Sequence, residues 1–149
     1  MVYQWKTGAR VNADAQVAGE MCKRLSEEGR LTAAELLEEN RPEDAPLHGA
    51  FEWDDGVAAE SWREHQARHI INSIVVVPER TPPVRGFFKL ESTERTYHPI
   101  ESIVSRVNTR QKLLDNALRE LAAVQSKYKT LTELDRVWAA LDEFKNFKK

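Results

Sequence analysis

One cysteine, Cys22, stands in the 149 residues, so no intrachain disulfide can form. Its apolar neighbours make it read as a small core residue, and a lone free thiol fits a reducing, cytoplasmic setting. Long hydrophobic runs are absent as well. Ile70 to Val77 is short and broken by Asn72 and Ser73, so nothing approaches the roughly 18 apolar residues of a membrane span. The opening residues, Met1-Val2-Tyr3-Gln4-Trp5-Lys6, lack the apolar stretch of a signal peptide. A soluble chain without a membrane partner is expected.

The chemical motifs of common enzymes are missing too. There is no glycine-rich loop to cradle a phosphate, no CxxC pair, and no serine in a nucleophile-elbow context. Four histidines and several acids are present, but nothing positions them as a hydrolytic triad. The acid pairs Glu38-Glu39 and Asp54-Asp55 sit where helix capping or solvated charge accounts for them. Binding rather than catalysis is the expectation, with no cofactor and no catalytic residue.

What is present is enough for a core. At 41% hydrophobic and 31% charged, the chain fits one ordinary domain, or a small domain with a helical extension. Its net charge of −2 conceals a polarity. Residues 1–70 carry 8 Lys/Arg against 14 Asp/Glu, a net of −6, whereas residues 71–149 carry 14 against 10, a net of +4. The basic excess concentrates between Arg80 and Lys112, in Arg80, Arg85, Lys89, Arg95, Arg106, Arg110 and Lys112. An anionic partner would be met there.

Helices are marked by period and caps. Ala15, Ala18, Met21, Cys22 and Leu25 recur at helical spacing between Asn12 and Glu28, with Gly29 placed as a left-handed C-cap. Thr32 and Glu35 form a capping box, and Leu31 with Leu36 a hydrophobic staple. The second helix should stop near Asn40-Arg41-Pro42. Pro42 to Trp53 reads as an ordered corner, because Leu47, Phe51 and Trp53 are apolar side chains that dock onto a core.

Asp54 or Asp55 is expected to cap a third helix whose inward stripe is Ala59, Trp62, Ala67, Ile70 and Ile74, leaving Arg63, Glu64 and Arg68 outside. Ile74–Val77 and Val84–Leu90 then read as an antiparallel hairpin, the second strand showing Val84, Gly86, Phe88 and Leu90 on one face. Pro99 opens a short helix with Ile100, Ile103 and Val104. Leu113 to Tyr128 and Leu134 to Phe144 form two amphipathic helices, with a capping box at Thr130 and Glu133. The Lys-rich tail, Lys145–Lys149, reads as frayed.

The fold class expected is α+β, mostly α. A winged helix-turn-helix-like part with its hairpin occupies residues 1–95, and an antiparallel helical hairpin occupies 96–149. In this reading the third helix enters the major groove of double-stranded DNA and presents Arg63, Gln66, Arg68, His69 or Asn72 to base edges, with Arg63, Arg68 and His69 the leading contacts, while Arg80 and Arg85 on the wing meet phosphates. The acids Glu52, Asp54, Asp55 and Glu60 oppose such an approach. His65 and His69 have the i, i+4 spacing of a zinc protease, but Gln66 replaces the glutamate that would serve as base. The competing reading is a protein-interaction module, with Trp138, Leu141 and Phe144 as anchors of a homodimer seam.

Pro46-Leu47-His48, Phe51-Glu52-Trp53-Asp54-Asp55, Gln66-Ala67-Arg68 and Tyr97-His98-Pro99-Ile100, followed by the two C-terminal helices, resemble a family of small phage and prophage proteins. The resemblance spans most of the chain. It implies a bacterial host cytoplasm and a mobile-element setting: phage DNA metabolism, gene regulation, or inhibition of a host defence nuclease or polymerase. It carries no catalytic residue over to this sequence.

Overall fold

A computed structural model of the chain describes residues 1–55 and 59–147. It is α+β and mostly helical, as expected, and it divides into two compact units, Met1–Thr109 and Arg110–Lys149.

The first unit opens with a strand that the sequence reading missed, β1 (Val2–Trp5), followed by α1 (Ala15–Glu27) and α2 (Ala33–Glu39). Local chemistry sets both helices. Asp14 accepts the Val17 N–H at 3.0 Å to start α1. At its end, Gly29 takes φ +71°, Arg30 N–H donates to Leu25 O at 2.8 Å and Gly29 N–H to Ser26 O at 2.9 Å. Those paired bonds are a Schellman stop. Thr32 accepts from Glu35 N–H at 3.0 Å, as expected, but the Glu35 carboxylate pairs with Arg30 instead of closing the box. Leu31 and Leu36 are fully buried, in keeping with the staple.

The corner after α2 is ordered. A 3-10 turn forms at His48–Ala50, with Leu47 and Phe51 buried on either side. Its centre is Asn40, which is wholly buried. The Asn40 amide donates to Leu36 O at 2.7 Å and its oxygen accepts the Leu47 N–H at 3.0 Å. Trp53 stacks on His48 at 4.7 Å between centroids and donates its indole N–H to His48 O at 2.9 Å. Leu47, His48, Phe51 and Trp53 are thus largely spent on holding this corner. Residues 56–58, which follow it, lie outside the described residues.

Next comes α3 (Glu60–Ser73), and two expectations fail at it. Its N-cap is Ala59, with no side-chain cap, because Asp55 is engaged by Arg63. The inward stripe is Arg63, Ala67, Ile70 and Ile71, leading into Ile74, while Trp62 is 50% exposed. A buried arginine is tolerable only when its donors are met. Here Glu52 O, Asp55 and Glu60 accept from Arg63, and its guanidinium lies over the Trp53 ring at 5.4 Å.

The chain leaves α3 directly into β2 (Ile74–Val77), which pairs antiparallel with β1 on one side and with β3 (Val84–Arg85) on the other. The expected strand Val84–Leu90 is broken at Gly86. Beyond it β4 (Phe87–Phe88) pairs with β5 (His98–Pro99) in a second small sheet, and Phe87 rather than Phe88 is buried. Gly86 makes the break because Ile74 O accepts its N–H at 3.0 Å while Ile100 N–H donates to its carbonyl at 2.8 Å. A Cβ there would stand 3.3 Å from Val76 and 3.4 Å from Ile74 O. Then α4 (Ile100–Val104) follows Pro99 as its cap.

The core of this unit joins Tyr3, Cys22, Leu25, Leu31, Leu36, Leu37, Ile70, Ile71, Ile74 and Phe87. Each fully buried Leu, Ile or Phe contributes about 1.5–3 kcal/mol of transfer free energy. Burial pushes the Cys22 thiol well above its ordinary range, so it is an unreactive core group.

The second unit holds most of α5 (Val107–Lys127) and α6 (Asp135–Phe147), linked through a 3-10 turn at Thr132–Leu134. Gln125 donates to Asp142 at 3.3 Å and accepts from Lys145 at 3.3 Å. The capping box at Thr130 does not form, because the 3-10 turn starts from Leu131 without a side-chain cap. Of the expected frayed tail, α6 includes Lys145 to Phe147, and residues 148 and 149 lie outside the described residues.

Candidate nucleic-acid interface

The outward side of α3 is set by its phase. With Arg63, Ala67, Ile70 and Ile71 turned inward, Ser61, His65, Arg68 and Asn72 run along the opposite ridge at i, i+4, i+7 and i+11. A groove lies on each flank of this ridge.

On one flank, Trp62, His65, Gln66 and His69 of α3 face Arg10 and Val11 of the β1–α1 loop and Ala50 of the corner, around a cleft of about 280 Å³. Trp62 stacks on His65 at 5.3 Å, with 15° between the rings. Gln66 is held by the corner, since its oxygen accepts the Glu52 N–H at 3.1 Å.

On the other flank, a groove of about 640 Å³ brings together Arg30, Arg68, Lys89 and Arg95 with Glu35 and Glu64. Arg30 pairs with Glu35 and Arg68 with Glu64 at 3.2 Å. Lys89 lies over the Tyr97 ring at 4.9 Å. Neither Lys89 nor Arg95 has a carboxylate partner among the described residues. Among the lining residues cations outnumber acids four to two, but Arg30 also pairs with Glu28 and Glu39 beside the groove, so its excess positive charge is that of Lys89 and Arg95.

Of the expected DNA contacts, Arg68 and His69 sit on the two flanks of α3 and His69 is exposed. Arg63 does not present itself: it is buried and ion-paired to Asp55 and, at 3.2 Å, to Glu60. Hydrogen bonding to those two acids holds its guanidinium above its ordinary pKa. Arg85 is tied back through its guanidinium to Asn72 and to Phe87 O, and lies over Phe88 at 4.9 Å. Arg80 is exposed in the β2–β3 turn.

Two of the four acids that oppose an approach to α3, Asp55 and Glu60, are ion-paired. Glu60 pairs with both Arg41 and Arg63, and Asp55 with Arg63. Arginine thus screens the start of the helix from inside.

His65 and His69 share the exposed side, but among the described residues no set of three His, Cys, Asp or Glu comes together to hold a metal. Of the expected interface anchors, Trp138 and Leu141 are buried in the second unit, whereas Phe144 is 46% exposed. No helix among the described residues is long and apolar enough to cross a membrane.

Lys89 and Arg95 were expected to meet an anionic partner only as part of the basic run and not as named DNA contacts, and Arg10 and Arg30 were not singled out at all. Lys89 and Arg95 do lie inside the basic run that begins at Arg80, which is the signal that could have found them. Arg10 and Arg30 stand in an acidic half and carry no such signal. Comparison with family models, with curated proteins and with solved structures gives no match, so the reading of this surface rests on its own geometry.

Proposed function

We propose that the chain binds double-stranded DNA through the outward ridge of α3, in the manner of a winged-helix-like accessory or regulatory protein of phage type. One observation carries this reading: the ridge, with Arg68 on it, is flanked by Arg10 on one side and by Arg30, Lys89 and Arg95 on the other. A ridge with cations on both flanks suits a groove bounded by two phosphate backbones. His65, Arg68 and His69 are then the side chains nearest the base edges. Arg80 on the β2–β3 turn would add a phosphate contact. Arg63 and Arg85 act within the fold.

The test is fluorescence anisotropy of a labelled duplex at two salt concentrations, with wild type, Arg68→Glu and Arg95→Glu. Affinity should fall steeply with salt, and each lost phosphate contact should lower the magnitude of the log–log slope by about 0.9. Absence of binding at low salt removes the proposal.

A second reading, self-association through the C-terminal unit, is favoured by Leu121 and Val124 on α5, Tyr128 just past its end, and Val137 and Phe144 on α6, all left exposed. Sedimentation of the full chain against Phe144→Glu distinguishes a dimer seam from a solvated face.

A further inference from the structure

We propose that the cleft between α3 and the β1–α1 loop takes a nucleotide whose base is unstacked, the ring lying on Trp62 and the phosphate against Arg10. The proposal goes beyond duplex binding, because a base inside a duplex offers no free face.

Three features of the cleft converge on this ligand chemistry. First, Trp62 lines it with half its surface open, although the residue has no place in the core. Large aromatics left outside at a concave site are stacking platforms for flat rings. His65, parallel beneath Trp62 at 5.3 Å, extends that platform and fixes its plane.

Second, Gln66 offers an oriented donor. Its oxygen is taken by the Glu52 N–H at 3.1 Å, which fixes the carboxamide and leaves its nitrogen without an acceptor among the described residues. A lone amide donor in a cleft suits a ring carbonyl, as carried by uracil, thymine, cytosine and guanine. Third, Arg10 at the mouth has no carboxylate partner among the described residues and supplies the charge complement of a phosphate.

Size agrees with a single nucleotide. The cleft, about 280 Å³, stands just below the range of about 300–1,000 Å³ usual for small-molecule sites. A base with its sugar at the mouth fits that space, and a dinucleotide cofactor does not. The ligand is either a free mononucleotide or an unpaired base of a strand, and the probes separate these sources.

The experiment is a titration of the full chain, followed by tryptophan fluorescence, with uridine monophosphate, an oligothymidylate and ribose phosphate. Quenching that saturates with uridine monophosphate supports a free nucleotide. Quenching by the oligothymidylate alone supports an unpaired base in a strand. Ribose phosphate, lacking a base, should leave the signal unchanged, and equal quenching by it overturns the proposal.

Trp62→Ala should weaken binding by about 5- to 150-fold, the range for loss of one stacked base. Trp62→Phe should retain most of it. A Trp62→Ala protein that binds like wild type by a label on the oligonucleotide overturns the proposal. A readout that needs no variant is the movement of the His65 and His69 ring-proton resonances in wild type. Those signals should shift on titration, and their failure to move with either nucleotide overturns the proposal. A labelled duplex in the same buffers reads the α3 ridge separately, since Arg95→Glu, in the other groove, should lower duplex affinity and leave uridine monophosphate binding unchanged.

Discussion

Gln16 stands against the outer edge of β1, where its oxygen accepts the Tyr3 N–H at 2.9 Å and its nitrogen donates to Met1 O at 2.9 Å. The side chain of an α1 residue thereby supplies the bonds that a further strand would make. Edge strands that lack such cover pair with other chains. Gln16→Leu should leave both groups open and cost about 1 kcal/mol. Size-exclusion chromatography and light scattering should show new self-association for this variant at high concentration. A variant that stays as wild type would show that the β1 edge needs no cover.

Tyr3 also has a partner on its inward side. A Cβ on Gly19 would lie 2.1 Å from the Tyr3 ring, so α1 approaches β1 through that glycine. The same packing buries the phenol, and burial, with the nearby Glu101 carboxylate, pushes its pKa up to about 12. Gly19→Ala should destabilise by about 1–3 kcal/mol through overpacking. Adding Tyr3→Leu should relieve part of that loss, a non-additivity readable from urea denaturation of the two single variants and the double.

Asn40 ties α2 to the corner with three polar contacts from a fully buried site, including its amide contact to the Met21 sulfur at 3.2 Å. In Asn40→Leu the Leu47 N–H loses its acceptor inside the core. The expected cost is about 1–3 kcal/mol, the desolvation penalty of one buried donor. Thermal melting should show it, together with faster amide exchange at Leu47.

Glu94 gives the fold a pH dependence. Burial alone would raise its carboxyl, but the His98 ring at 2.6 Å and the Leu90 N–H at 3.1 Å outweigh it and hold the group below its ordinary value of 4.5. A carboxyl whose pKa is lower folded than unfolded contributes stability above the unfolded value and loses it as pH falls through the folded one. Wild type should therefore exceed Glu94→Gln in melting temperature at neutral pH, and the difference should close under acid. A gap that persists unchanged at low pH would show that ionisation of Glu94 is irrelevant to it.

Much of the helical framework was legible because it is local. Gly29, Thr32 and the Leu31–Leu36 staple act within a few residues of themselves, and they stand as the spacing requires. Pro42 and Pro99 punctuate the chain for the same reason, through steric limits on their own neighbours.

The remainder depended on partners distant in sequence. Ala67, Ile70 and Ile74 of the expected α3 stripe are buried, but Ala59 is exposed and Trp62 and Arg63 exchange places, because Trp62 looks like core and Arg63 like surface. Only the corner, which brings Glu52 O, Asp55 and the Trp53 ring to Arg63, reverses the two. Strand β1 was missed because four residues have no periodicity to speak for them, and their pairing with β2 spans about seventy residues. Of the cationic flanks, Arg10 and Arg30 come from loops that only the packed fold brings beside α3. Sequence alone determined the helix ends whose capping is local, at α1 and α2, since capping bonds and backbone sterics are short-ranged, but not the start of α3 or the turn after α5. The tertiary structure decided which side chains face inward and which charges gather, since burial and ion pairing depend on whatever the rest of the chain delivers to the same place.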